Sequence, residues 1–202
     1  MIFEQKKIIF IHYPKTAGNS IQDALRQYTN DKLVTLTKYQ DGVERFEVRN
    51  EKFKNLVKHS TLNDYYKVLG QEIYSYKIFL TIRNPFDRLV SFYFSPHRGE
   101  IQYNREDFST FIEKVPPLQQ FIYFKKSIFE KAEIFKDIKF IRFENINEDF
   151  LKICNQLGIK GVTLPHRNAS KREQYKSYYD HDLIEKVKKI HKLEISLGNY
   201  NF

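Results

Sequence analysis

A chain of 202 residues is long enough for one sizeable core and short for two, and its single cysteine excludes an internal disulfide framework. The 34 Lys and Arg against 25 Asp and Glu give a formal net charge of +9, which suits an anionic ligand. The basic residues are spread along the chain without a recognised nucleic-acid-binding motif, so no nucleic acid partner is expected.

No apolar stretch reaches the length of a membrane span, and the first strand opens within a few residues, leaving no room for a signal peptide. The expectation is therefore a soluble, cytoplasmic chain. No linker rich in Pro, Gly or Ser and no internal repeat divides it, so residues 1–202 are predicted to form one domain.

The first element is an apolar strand at Lys7–His12, followed by the turn Pro14-Lys15-Thr16-Ala17-Gly18-Asn19-Ser20. A helix is predicted from Asn19, with Ile21, Ala24, Leu25 and Tyr28 on one face. Backbone N–H groups at a helix start, with the dipole behind them, favour an anion. Lys15 adds a full charge, Thr16, Asn19 and Ser20 add donors, and Gly18 allows a close approach of the backbone. A loop for ATP or GTP is written Gly-x-x-x-x-Gly-Lys-Ser/Thr, whereas here the lysine comes early and the Gly-Lys pair is missing.

Further along, Val34 to Val48 reads as a hairpin closed by Asp41-Gly42 and inserted at the surface, with a strand at Leu33–Thr37. The apolar run Phe53–Lys58 is predicted as a strand, which puts His59 at its C-terminal end beside the ligand crevice. A neutral imidazole there is suited to general-base work, so His59 is the candidate base.

The next strand, Lys77–Ile82, ends on Arg83, and a helix is predicted from Phe86 with Phe86, Leu89, Val90 and Tyr93 as its core face. Pro85 fits its first turn. Arg83 and Ser91 then face the crevice, while Arg88 is expected to be solvated or ion-paired. The stretch Ser95–Asp107 is predicted to cover an acceptor, and its His97 is the reserve candidate for the base.

Helices are also predicted from Phe108, Ile122, Asn147 and Asp180, and a last strand at Lys139–Phe143. Alternating strands and helices imply an α/β fold, a central parallel sheet flanked by helices in three P-loop-like layers. Cys154 is predicted to be a small buried hydrophobe, and Glu144 a structural partner for a neighbouring arginine. His12, His181 and His191 are read as structural. No His, Cys and carboxylate set has metal-ligand spacing, so no metal is expected.

The early-lysine turn and Arg83-x-Pro85-x-x-Arg88-x-x-Ser91-x-Tyr93 together resemble the two nucleotide sites of sulfotransferases that use 3′-phosphoadenosine 5′-phosphosulfate (PAPS). Phe140 to Glu144, Leu157-Gly158-Ile159, Leu164 to Ser170 and Tyr178-Tyr179 extend the resemblance, toward the Golgi-type carbohydrate enzymes and their bacterial relatives. It implies that Lys15, Thr16, Ala17, Gly18, Asn19 and Ser20 hold the 5′-phosphosulfate, Lys15 also acting in catalysis. Arg83 and Ser91 would hold the 3′-phosphate, and Lys171 and Arg172 would close over the nucleotide. Lys58-His59-Ser60 lies where glycan sulfotransferases with a His-Gly-His segment carry their catalytic histidine, although one residue of that segment is matched here. Asn84 stands where aspartate is commonest in the family.

The implied activity is sulfonate transfer from PAPS to a hydroxyl acceptor, a glycan, acidic in keeping with the basic charge, or a related metabolite. Two alternatives stay open. One is a small nucleotide or metabolite kinase, and the other is a non-catalytic nucleotide- or polyanion-binding module.

Overall fold

The computed structural model describes residues 1–35, 44–48, 51–124, 133–134, 137–165 and 173–202. From the start of the chain, β1 (Ile2–Phe3) turns into β2 (Ile8–Ile11), and α1 (Gly18–Leu25) follows. A hairpin of β3 (Asp31–Thr35) and β4 (Glu44–Val48) forms a separate two-stranded sheet. Then come α2 (Leu62–Leu69), β5 (Lys77–Ile82), α3 (Pro85–Tyr93), α4 (Arg105–Lys114) and α5 (Gln119–Ile122). The paired β6 (Tyr123–Phe124) and β7 (Glu133–Ile134) precede β8 (Lys139–Arg142), α6 (Ile146–Gln156), α7 (His181–Ile190) and α8 (Lys192–Gly198).

The main sheet has the order β1-β2-β5-β8, with β2, β5 and β8 parallel and β1 antiparallel at the edge. Both of its faces are covered, which is why all four residues of β2 are buried instead of alternating. Ile9 and Ile11 join Ile78, Leu80 and Ile82 in a core with Leu62, Tyr65 and Leu69 of α2. Ile8 and Phe10 join Phe79 and Ile141 in a second core with Ile21 and Leu25 of α1 and Phe150, Ile153 and Cys154 of α6. Helix, sheet and helix thus make a three-layer α/β fold. A third cluster, among α3, α4 and α7, carries Phe86, Val90, Tyr93, Phe108, Ile112, Leu183 and Val187. Each such side chain contributes about 1.5–3 kcal/mol on burial.

Register positions the site. Ile11 lies opposite Leu80 and Ile82 opposite Arg142, so the parallel strands deliver the turns after β2 and β5 to one end of the sheet. That end is where parallel α/β sheets collect ligands.

Three expectations from the sequence are corrected. Phe53–Lys58 is not a strand: Leu56 N donates to Phe53 O at 2.9 Å and Ser60 N to Val57 O at 3.0 Å, so the segment runs as successive turns. Phe53 and Leu56, three apart, face the core while Val57 is 54% exposed, a turn spacing that a period of two misreads. No helix begins at Ile122; α5 ends there and the chain becomes extended at Tyr123, where aromatic residues pair with β7. The segment after Asp180 is two helices, broken at His191, not one. The hairpin strands are present, while the Asp41-Gly42 turn lies outside the described residues.

Candidate active site

The turn after β2 is tightly wound. Lys15 and Ala17 have φ of 64° and 66°, the left-handed region that non-glycine residues seldom enter. Alternating such residues turns successive N–H groups toward one point, an arrangement suited to anions. Helix α1 begins there without a side-chain cap and without an acidic residue in its first turn. By contrast Thr61, Asn84, Asn104 and Asp180 each close the start of their helix with a side-chain oxygen. The start of α1 shares the lack of a side-chain cap with α5, α6 and α8, and differs from α6 and α8 in having no acidic residue in its first turn.

Within the turn, Thr16 is fully buried and its Oγ1 donates to Tyr13 O at 2.8 Å, so this hydroxyl closes the loop on itself. Gly18 is required by a neighbour: a Cβ there would lie 2.2 Å from His12 Nε2. Ser20 is buried in the first turn of α1, behind Asn19. Lys15 Nζ reaches across to Ser95 Oγ at 3.0 Å, at the end of α3.

The turn after β5 meets the first one. Arg83 Nη1 donates to Lys15 O at 3.1 Å, its Nε donates to Asp87 Oδ2 at 2.7 Å, and its guanidinium stacks on Phe143 with Cζ 4.0 Å from the ring centroid. Ion pairing with Asp87, one turn on in α3, holds the guanidinium in place after the end of β5. Ser91 lies two turns into α3 and is buried. Asn84 caps α3 through Oδ1, which accepts from Phe86 N at 3.0 Å, and its Nδ2 donates to Asn201 O at 3.0 Å. Glu144 is structural, and among the described residues its hydrogen bonds come from groups other than an arginine. It accepts from Asn84 N at 2.8 Å and from Tyr200 Oη at 2.9 Å.

His59 is beside the turn after β2 even though no strand leads to it. Its Nδ1 lies 2.9 Å from His12 O, and the two imidazoles meet edge to face with centroids 4.7 Å apart. A carbonyl only accepts, so Nδ1 carries the hydrogen and the lone pair of the neutral ring is at Nε2. His12 is buried, with Nδ1 3.0 Å from Gln22 Oε1. Burial, and then the nearby charges of His59 and Lys58, hold it well below 6.5.

Sequence reading brings Lys15, Arg83, Ser91 and His59 to one end of the sheet, where the structure also places them. It missed Ser95, Asp87 and Gln22. Asp87 follows Arg83 by four residues, a spacing at which side chains can pair across the start of α3, whereas Ser95 lies just past the end of that helix, where its spacing from Ser91 carries no such signal. Of the two expectations for Arg88 it is the ion pair that holds: the side chain is fully buried and pairs with Glu194. Cys154 is buried as expected, and burial pushes its thiol up to about 11. His97 lies in the short turn Pro96–Arg98, and the adjacent Arg98 anchors that stretch by donating to Tyr93 O and stacking on Tyr93 and Phe111. Lys171, Arg172 and His166 fall outside the described residues.

Among solved structures the chain is similar to a sulfotransferase from Alicyclobacillus acidocaldarius, at 14% identity over 97% of this chain and 87% of that one, with a TM-score of 0.37. That likeness is too loose to bear on individual residues. No curated protein sequence matches. The model of the sulfotransferase family matches residues 1–201, both strand-to-helix turns included, and the chain belongs to that family.

Proposed function

We propose that the protein transfers sulfonate from PAPS to a hydroxyl of a glycan or related metabolite. The observation that carries this reading is the meeting of the two turns: Arg83 donates to the carbonyl of Lys15, so a cation from each turn borders one crevice. A nucleotide with a phosphate at each end of its ribose suits that pairing. The uncapped start of α1 with Lys15 suits the 5′ end, and the guanidinium fork of Arg83 with Ser91 suits the 3′-phosphate.

PAPS supplies an activated sulfuryl group when bound. The acceptor oxygen forms a bond to sulfur as the bond from sulfur to the 5′-phosphate oxygen breaks, and the acceptor's proton must go to a base. His59 takes it at Nε2, the nitrogen left with the lone pair by the Nδ1 hydrogen bond to His12 O. Lys15 offsets the charge on the departing oxygen, its ammonium steadied by Ser95.

The test is thermal denaturation with nucleotides. Adenosine 3′,5′-bisphosphate at 100 times its Kd is expected to add about 2.7 kcal/mol, or roughly 5–10 °C in Tm, without magnesium. AMP, lacking the 3′-phosphate, is expected to give a much smaller shift. Equal stabilisation by ATP with magnesium and by the bisphosphate would favour the kinase and overturn the proposal.

A further inference from the structure

Tyr13, Arg88, His191 and Glu194 are fully buried, and the chemistry above uses none of them. They come from four places: the turn after β2, α3, the break between α7 and α8, and the first turn of α8. Glu194 Oε1 accepts from Tyr13 Oη at 2.6 Å, from His191 Nδ1 at 2.9 Å and from Leu118 N at 3.0 Å, and it lies 3.6 Å from Arg88 Nη2. The Arg88 guanidinium sits over the Tyr13 ring, Cζ 4.3 Å from its centroid, and Phe121 packs against the same ring.

Stability does not explain this cluster. A buried ion pair is often no more stabilising than apolar side chains of the same volume, because both charges give up their water. What the cluster does is hold Tyr13 from both ends. The phenol is fixed by Glu194 and Arg88, and the main-chain carbonyl accepts from Thr16 inside the donor turn. Tyr13 stands two residues before Lys15, and Arg88 stands on α3, the helix that carries Ser91 and leads to Ser95.

We infer that Glu194 is a positioning residue for the donor turn: it fixes Tyr13, and through Tyr13 it sets the turn from Lys15 to Asn19 against α3. The inference rests on reading that turn as the site of the 5′-phosphosulfate. Its consequence is selective. Loosening Tyr13 disturbs contacts to a 5′-phosphate more than those to a 3′-phosphate, because Arg83, although it donates to Lys15 O, is held independently by Asp87 and Phe143.

Calorimetric titration of adenosine 3′,5′-bisphosphate and of adenosine 3′-monophosphate separates this from a general loss of stability. The quantity of interest is the ratio of the two affinities. Tyr13→Phe, which removes one hydroxyl, is expected to lower the ratio about tenfold, with 3′-monophosphate binding little changed. Glu194→Gln keeps an acceptor oxygen for Tyr13 but removes the charge facing Arg88, and is expected to lower it roughly threefold. Ile112→Val, in the core between α3 and α4, is expected to lower Tm with the ratio intact. Equal weakening of both ligands by Tyr13→Phe, or no weakening, would overturn the inference; should that variant not fold, Glu194→Gln decides by the same ratio. A wild-type protein with no preference for the bisphosphate would instead overturn the donor-site reading, before any variant is compared.

Discussion

The hydrogen bond from His59 Nδ1 to His12 O fixes the tautomer on which the proposed role of His59 as base depends. With Nδ1 donating to a main-chain carbonyl, the imidazole can neither rotate freely nor change tautomer without losing that bond, so Nε2 is presented as an acceptor. Replacing His59 by alanine is therefore expected to lower turnover by roughly 10²- to 10⁴-fold while leaving the Kd for adenosine 3′,5′-bisphosphate nearly unchanged. Arg83→Ala is the opposite case. It removes the proposed ligand of the 3′-phosphate and also the link to Lys15 O, so it is expected to weaken nucleotide binding by about tenfold or more with a smaller effect on the saturated rate. Single-turnover rates together with calorimetric Kd values check both. If His59→Ala changed affinity and not rate, the base would have to be sought elsewhere, with His97 the next candidate.

At the scale of elements, the start of α3 joins the site to the end of the chain through Asn84, which does two jobs that an aspartate could not combine. Its oxygen caps the helix while its nitrogen donates to Asn201 O, and its own N–H is taken by the carboxylate of Glu144. Asn84→Asp would keep the cap, turn an acceptor toward the Asn201 carbonyl and bring a second carboxylate close to Glu144. A loss of about 1 kcal/mol, or roughly 2–4 °C in Tm, is expected, and a larger one for Asn84→Ala, which also loses the cap. A higher Tm for Asn84→Asp would mean that the contact with Asn201 contributes nothing. Such turns were legible in the sequence because a strand, a turn and a helix start write their chemistry within about ten residues. The contact between Arg83 and Asp87 was half legible, since the two are four residues apart, whereas that between Lys15 and Ser95 spans 80 residues and is made by the fold alone. His59 does lie against His12, beside the turn after β2, but on a run of turns and not at a strand end, because Phe53 and Leu56 repeat every three residues. Nothing local announced the bond from Tyr13 to Glu194, which spans 181 residues.

Over the whole molecule, the polar groups buried beneath the site make stability depend on pH. Burial holds His12 well below 6.5, and burial also lowers His191 against the opposing hydrogen bond from Glu194. Burial alone would raise Glu194, but the hydrogen bond from His191 and the charge of Arg88 outweigh it and hold the carboxyl below 4.5. In the unfolded chain each histidine takes up a proton near pH 6.5, whereas in the folded protein it does so at lower pH. The unfolded state therefore binds more protons as pH falls through 6.5, and stability declines there; above 6.5 both histidines are neutral in both states and nothing is lost. Glu194 acts in the same direction lower down, its contribution present above 4.5 and lost as pH falls through its folded value. Well below 6.5 the slope is up to about 1.4 kcal/mol per pH unit for each histidine that stays neutral. Melting curves between pH 7.5 and 5.5 are expected to show Tm falling by roughly 5 °C. His191→Asn, whose amide can replace the Nδ1 donor to Glu194 without titrating, is expected to lower Tm at both ends and to flatten the slope. An unchanged slope in that variant would remove His191 from the account, and equal Tm at pH 7.5 and 5.5 in the parent protein would mean that neither buried histidine is held neutral.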